Sequence, residues 1–443
     1  MRGPGLYRTI WRWHFYAGLF VIPFVLVLSA SGALYLFKPQ VERWEERAFR
    51  TETGAIPVAP HRQLEAALAK HPGAAFLDYR LPERGGDAAM IRLAVPQAGV
   101  RQVFVSPAGD VLGALDPDAR IMAVTKRIHS EVLIGPLGNR LVELAACWAI
   151  VMILSGLYLW WPRVAGVAGV VWPRLGRGGR ALWRDVHAVA GFWVSALALV
   201  LLVSGLPWAG VWGPAFGAVR AQLGWVDGPA QWAIDSSKSS PSAGHDHGHH
   251  GAMPAPTPEV PFSARVFDQM VTDARNERLA FPAIVTPPGG PQRFDAPGMM
   301  LWTIRSDVQN PPLRTTIRYD LTGHTEVERE RAEDSHPIDQ VINYGIAWHE
   351  GQLFGWINQL IGLATAVLLM VVAASGFVMW RKRKPTGQLE TPPIGARPPA
   401  GLVAILVVLA LVLPLLALSL VAVFLAERLV LARIPPAARW LGL

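Results

Sequence analysis

The sequence predicts an α-helical membrane protein made of duplicated helix–domain–helix units. Four helices form a bundle, a fifth is added, and two small α+β domains lie outside the bilayer. Three observations carry this expectation: five apolar runs of spanning length, basic residues gathered in short segments beside those runs, and an internal repeat that matches histidine to histidine.

The runs lie at Phe15 to Phe37, Leu141 to Trp161, Val189 to Trp208, Ile357 to Trp380 and Leu402 to Leu425, each near the ~20 residues that cross a hydrocarbon core. With 51% hydrophobic residues in 443, the chain is too apolar for an ordinary soluble domain and long enough for folded parts outside the membrane. Trp11, Trp13, Trp160, Trp161, Trp208, Trp356 and Trp380 sit at the ends of the runs, where an indole bridges lipid and water. Small residues Ala30, Ser31 and Gly32 imitate a signal-peptide cleavage site, but the first run continues to Phe37 and the same Ser-Gly ending recurs at Ser204-Gly205.

The net charge of +8 is a topology signal and gives no reason to invoke nucleic acid. Arg2, Arg8 and Arg12 precede the first span, Arg163, Arg174, Arg177, Arg180 and Arg184 fill the second connection, and Arg381, Lys382, Arg383 and Lys384 follow the fourth span. Positive-inside placement makes these segments cytoplasmic, with the lipid bilayer as the first partner. The partition that follows is 1–37 for the cytoplasmic N-terminus and first span, 38–135 for a periplasmic domain, 136–161 for the second span and 162–186 for a basic cytoplasmic loop. The third span is 187–208, a periplasmic linker 209–260, a second periplasmic domain 261–350, and the fourth span 351–380. A cytoplasmic loop at 381–400, a fifth span at 401–426 and a periplasmic tail at 427–443 complete it.

The repeat is read residue by residue. His14 is followed by Gly18 and by Ser31-Gly32, and His187 by Gly191 and Ser204-Gly205, at the same offsets. His129 in HSEVLIG and His349 in HEGQLFG each have Leu four, Gly six, Ser-Gly twenty-six and Trp thirty-one residues later, without a gap. Each unit therefore reads as a rising helix, an external domain and a returning helix, and the two units are parallel repeats about an axis along the membrane normal. In the first external segment RQLEAALAKH reads as a helix, MIRLAV as a strand and RQVFVSPAGDVLGAL as a hairpin; in the second, FSARVFDQMVTDARNERL reads as a helix and RTTIRYDLTGHTEVE as a hairpin.

Topology sorts the four histidines into two levels. His14 and His187 begin helices on the cytoplasmic side, and His129 and His349 precede returning helices on the periplasmic side. Two imidazoles approaching from opposite sides are what a six-coordinate haem iron accepts, so the expectation is two haems, one per level. Gly18, Gly32, Gly191 and Gly205 would leave room for a flat macrocycle, with Gly32 and Gly205 about 27 Å along the helix from their own histidines at 1.5 Å per residue. The sole cysteine, Cys147, excludes a Cys-x-x-Cys-His attachment, so the haems would be of b type. A histidine at a membrane boundary is more often an interfacial residue and a small residue a packing device; four histidines in two matching sets shift the balance toward ligands. A single zinc ion is disfavoured because the ligands lie at two faces of the bilayer.

Weaker signals remain. His245, His247, His249 and His250 in HDHGHH lie in a Ser/Pro/Gly-rich linker and would bind a metal ion only as a flexible tract. GRGGRA at Gly176 to Ala181 matches a dinucleotide fingerprint literally but has no strand before it and no room for a βαβ unit. Electrons would then come from a quinol or a separate reductase. Arg12 and Arg184 are candidates to pair with haem propionates.

The strings WRWHFYAGLFVIPFVLVLSASGALYLF, RIHSEVLIGPLGNRLVELAA, LWRDVHAVAGFW and WHEGQLFGWINQLIG resemble the PepSY-associated transmembrane family of iron-regulated bacterial inner-membrane proteins, which includes siderophore-iron reductases. The resemblance spans about residues 6 to 384. It implies that the external α+β segments are PepSY-like domains. It further implies an oxidoreductase that reduces ferric iron or a ferric siderophore in the periplasm, with His14, His129, His187 and His349 at the positions of haem ligands. Two other readings are a non-redox PepSY protein that binds a peptide or protease partner, and a periplasmic metal carrier that uses HDHGHH.

Overall fold

The computed structural model describes residues 4–51, 56–162, 169–176, 178–225, 262–292, 299–383, 389, 391–392 and 398–441. The HDHGHH tract, Arg2, Arg163, Arg177 and Lys384 lie outside the described residues. Along the chain the helices are α1 (Pro4–Tyr35), α2 (Lys38–Glu45), α3 (Pro60–Lys70), α4 (Ile121–Glu131), α5 (Gly135–Trp160), α6 (Gly179–Gly205) and α7 (Trp212–Gln222). They continue with α8 (Ala264–Asn276), α9 (Pro337–His349), α10 (Trp356–Arg381), α11 (Ala400–Val412), α12 (Pro414–Leu425) and α13 (Pro435–Leu441). The strands are β1 (Ala75–Arg80), β2 (Ala89–Val95), β3 (Gly99–Val105), β4 (Val111–Leu115), β5 (Ala283–Thr286), β6 (Trp302–Ser306), β7 (Thr315–Tyr319) and β8 (Glu326–Arg331). The chain divides into two compact units: Met1–Leu36, Arg127–Phe216 and Trp356–Leu443 form one, and Phe37–Lys126 with Gly217–Gly355 form the other.

Among the described residues, four helices are long and apolar enough to cross a bilayer, Gly5–Tyr35, Gly135–Trp160, Gly179–Trp208 and Trp356–Arg381, and all lie in the first unit. The shortest of them, with 26 residues, reaches about 39 Å at 1.5 Å per residue against a hydrocarbon core of about 30 Å. Helix α1 packs on α5 and α10, and α6 packs on the same two. The helices therefore form a ring in which the repeat partners α1 and α6 stand on one diagonal and α5 and α10 on the other, the arrangement a two-fold along the bundle axis produces. Both α1 and α6 begin earlier than the apolar runs suggest. His14 and His187 consequently lie two to three turns inside their helices, and the expectation that they begin them is corrected.

The repeated glycine six residues after each second histidine has a backbone cause. Gly135 and Gly355 both take positive φ, at 62° and 58°, a region that costs an L residue and suits glycine. The turn before α5 also holds Val132 and Leu133 at positive φ, so strain is stored in this connection.

The expected fifth span, 401–426, is instead a helical hairpin. Leu413 takes φ −120° and ψ 88° before Pro414, separating α11 from α12, as a proline that rejects the preceding helical residue demands. Leu413 and Leu416 are buried beside Cys147, Ile150 and Leu206, Trp212 donates to the Val412 carbonyl at 3.0 Å, and Trp148 donates to Ser419 at 3.2 Å. The chain then returns. The amide of Leu389, from the connection before α11, donates to the Trp440 carbonyl at 3.0 Å, and Tyr16 donates its hydroxyl to the Leu441 carbonyl. Helix α13 therefore lies beside the N-terminal half of α1, and the expectation of a tail at 427–443 on the opposite side is corrected.

The second unit is not two independent small domains. Among its described residues, eight strands form a single antiparallel sheet ordered β4-β3-β2-β1-β5-β6-β7-β8. The halves join where β1 pairs with β5, Tyr79 opposite Val285 and Arg80 opposite Ile284. Alternate residues of both halves, among them Tyr79, Ile91, Val103, Val285, Ile304 and Ile317, enter one core with Leu64 and Ala67 of α3 and Phe267, Met270 and Val271 of α8. The other face combines buried ion pairs with a small apolar cluster of Met90, Phe104 and Phe49. Arg92 donates to Asp78 at 2.9 Å, Arg80 grips Glu46 with both terminal nitrogens at 3.0 and 2.7 Å, and Arg120 joins Glu45 and Glu46. Residues 38–49 bring those glutamates, and Phe49 stacks on Phe104 at 4.2 Å.

Candidate histidine site

Within the ring of four helices, His14 of α1 and His187 of α6 face each other across the diagonal. Their ring centres lie 6.3 Å apart and their planes are nearly perpendicular, at 88°. Two imidazoles that share an ion, each with its nitrogen about 2.0 Å from the metal, put their ring centres about 6 Å apart. The observed spacing is close to that value. Among the described residues, no three His, Cys, Asp or Glu side chains gather as a tetrahedral ion needs.

Each ring is held by a Ser-Gly pair on another helix. His14 Nδ1 lies 2.9 Å from Ser155 Oγ on α5, and the Ser155 hydroxyl donates to the Met152 carbonyl at 3.0 Å. His187 Nδ1 donates to the Val372 carbonyl of α10 at 2.9 Å, with Ser375 Oγ at 3.3 Å. His129, in the last turn of α4, places Nδ1 3.1 Å from Ser31 Oγ of α1, whose hydroxyl donates to the Val27 carbonyl at 2.8 Å. A serine proton already given to a carbonyl leaves its oxygen to accept from the ring, so the network puts the proton on Nδ1 and leaves Nε2 as the unprotonated ring nitrogen.

The glycine of each pair makes the approach possible. A Cβ at Gly156 would stand 3.2 Å from His14 Cε1, one at Gly376 3.3 Å from His187 Cε1, and one at Gly32 3.0 Å from His129 Cε1. Gly32 therefore makes room for an imidazole of the second histidine level. A Cβ at Gly18 would meet only Met152 at 3.5 Å, and one at Gly191 would have no neighbour within 4 Å. Gly205 ends α6, after Ser204, whose hydroxyl donates to the Leu201 carbonyl at 3.1 Å as its three counterparts do to their own helices. His349 is the last residue of α9 in the sheet unit. Burial holds the His129 imidazole below its ordinary value, keeping it neutral, the form that binds metal.

The arginines expected near propionates have protein partners: Arg12 donates to the Pro392 carbonyl at 3.0 Å, and Arg184 to Asp185 at 3.2 Å. Sequence reasoning missed Ser31, Ser155 and Ser375 as seats for the rings. The available signal was the recurrence of Ser-Gly in all four spans, seventeen residues after His14 and His187 and twenty-six after His129 and His349.

A duplicated four-helix bundle with histidines at two levels, joined in sequence to a shared antiparallel α+β sheet, defines a class of polytopic membrane protein. The family model described as the PepSY-associated TM region matches residues 11–383, and the chain belongs to that family. No curated protein matches the chain.

Proposed function

We propose that the protein transfers electrons across the bacterial inner membrane through two b-type haems, one bound by His14 and His187 and the other by His129 and His349. Its proposed role is as a ferric reductase that delivers electrons to ferric iron or a ferric siderophore in the periplasm. The observation that carries this reading is the pair of perpendicular imidazoles 6.3 Å apart, brought from the two repeat-related helices α1 and α6. A b-type haem between two imidazoles supplies one-electron exchange with no open coordination position. The chain's own residues bind and orient: Ser155 and the Val372 carbonyl turn Nδ1 of His14 and His187 toward α5 and α10, so that Nε2 is presented to the metal. The His129–His349 pairing rests on the sequence repeat, which gives both the same downstream Leu, Gly, Ser-Gly and Trp. A quinol or a separate reductase serves as donor at the His14–His187 level in this reading.

Purified protein is expected to show a b-type Soret band and about two haems per chain. His14→Ala or His187→Ala should each remove one haem and leave the other spectrum intact. Pure, folded protein from haem-sufficient cells that shows no Soret band would refute the proposal, and equal loss of both haems from every single substitution would refute the pairing.

A further inference from the structure

We propose that three of the Ser-Gly pairs are positioning devices for the histidines, each made of a hydroxyl that fixes the ring's tautomer and a glycine that admits the ring. The inference rests on the haem reading above and adds residues that act through the ligands. Three pairs carry it directly: Ser155-Gly156 at His14, Ser375-Gly376 at His187 and Ser31-Gly32 at His129.

The chemistry follows from the donor set. In each case the serine has given its proton to a carbonyl of its own helix, Met152, Val372 and Val27 respectively, so its oxygen is oriented as an acceptor. A ring that donates Nδ1–H to such an acceptor is fixed in rotation and becomes a stronger electron donor through Nε2, which favours the more highly charged ferric ion. The placement is reciprocal. Each pair lies near the end of a helix and receives a histidine from elsewhere in the chain, so α1 contributes His14 at one level and a seat for His129 at the other.

The two rings of one site are held alike, each by a serine and by the carbonyl three residues before it, Met152 for His14 and Val372 for His187, but the hydroxyl is nearer to His14, at 2.9 Å against 3.3 Å. Truncating either serine leaves a carbonyl in place, and truncating Ser155 removes the closer of the two hydroxyls. Groups that accept the other ring proton of a metal-bound histidine contribute about 10- to 100-fold in metal affinity. Most of that preference is expected in the ferric state.

The test is a potentiometric titration of the purified full chain in detergent, following haem absorbance in wild type, Ser155→Ala, Ser375→Ala, Ser31→Ala and Ser155→Thr. Ser155→Ala should lose about tenfold in ferric preference, read as a rise of about 59 mV in one of the two midpoint potentials. Ser375→Ala should shift that same potential less, Ser31→Ala should move only the other one, and Ser155→Thr, which keeps the hydroxyl, should restore the wild-type value. Should Ser155→Ala fail to assemble, the order of Ser375→Ala against its own Thr variant gives the same reading. A haem-loaded Ser155→Ala protein with unshifted potentials, or a larger shift in Ser375→Ala, would overturn the positioning role and leave the haem reading standing. A haem-free wild type would overturn both.

Discussion

Phe267 tests whether the two halves of the sheet fold as one body. It is fully buried, and its ring lies 5.5 Å from both Phe76 and Tyr79 of the first half and 6.3 Å from Trp302 of the second. Truncation of a buried Phe to Ala costs about 3 to 5 kcal/mol, through lost transfer energy and the cavity left behind. Domains are typically stable by about 5 to 15 kcal/mol, so Phe267→Ala should take up a large share of the unit's stability. If one core serves both halves, the loss is felt on both sides of the β1–β5 seam. Hydrogen exchange on the full chain should then show β2 and β3 losing protection together with β6 and β7, by about two to three and a half orders of magnitude at 1.4 kcal/mol per tenfold. A loss confined to β5–β8, with β1–β4 unchanged, would refute the single-core description.

Two further outcomes can be checked separately. A reporter fused at the C-terminus should lie in the same compartment as one fused at the N-terminus, because the hairpin of α11 and α12 returns α13 to the N-terminal half of α1; opposite compartments would rule the hairpin out. Burial pushes the Glu46 carboxyl up, but the hydrogen bonds and charges of Arg80 and Arg120 outweigh it and hold the group below its ordinary value of 4.5. Its stabilisation is therefore full above pH 4.5 and is lost as the pH falls through the lower folded value, so in acid titrations Glu46→Gln should flatten the loss of stability below that point.

The features legible in the sequence are those with long periods and those copied by duplication. Four spans stand out because lipid imposes continuous apolarity, and the histidine levels stand out because the repeat keeps its offsets in both copies. Helices α3 and α8 and the hairpins β3–β4 and β7–β8 fall where propensity and turn residues place them. Strands β1 and β6 do not announce themselves, because their buried polar face puts Asp78, Arg80 and Arg305 where alternation suggests solvent. Their charge is compensated by partners distant in sequence, such as Glu46 for Arg80. The fifth apolar run is long enough to span, and only the tertiary contacts of Leu413, Leu389 and Tyr16 reveal the reversal at Pro414. The serines beside the histidines were visible as a pattern, but their role depends on which helices become neighbours.

The seam between β1 and β5 also sets an order of events in the life of the chain. Strand β1 ends at Arg80 and its partner β5 begins at Ala283, so roughly 200 residues, including two membrane helices, are made in between. At about 5 to 20 residues per second, this interval lasts on the order of 10 to 40 s. During it the first half-sheet has an open edge at β1 and a core still missing Phe267, Met270 and Ile304, the kind of edge that pairs with whatever strand arrives first. Until the second half is delivered to the same side of the membrane, the newborn protein is a template awaiting its own complement.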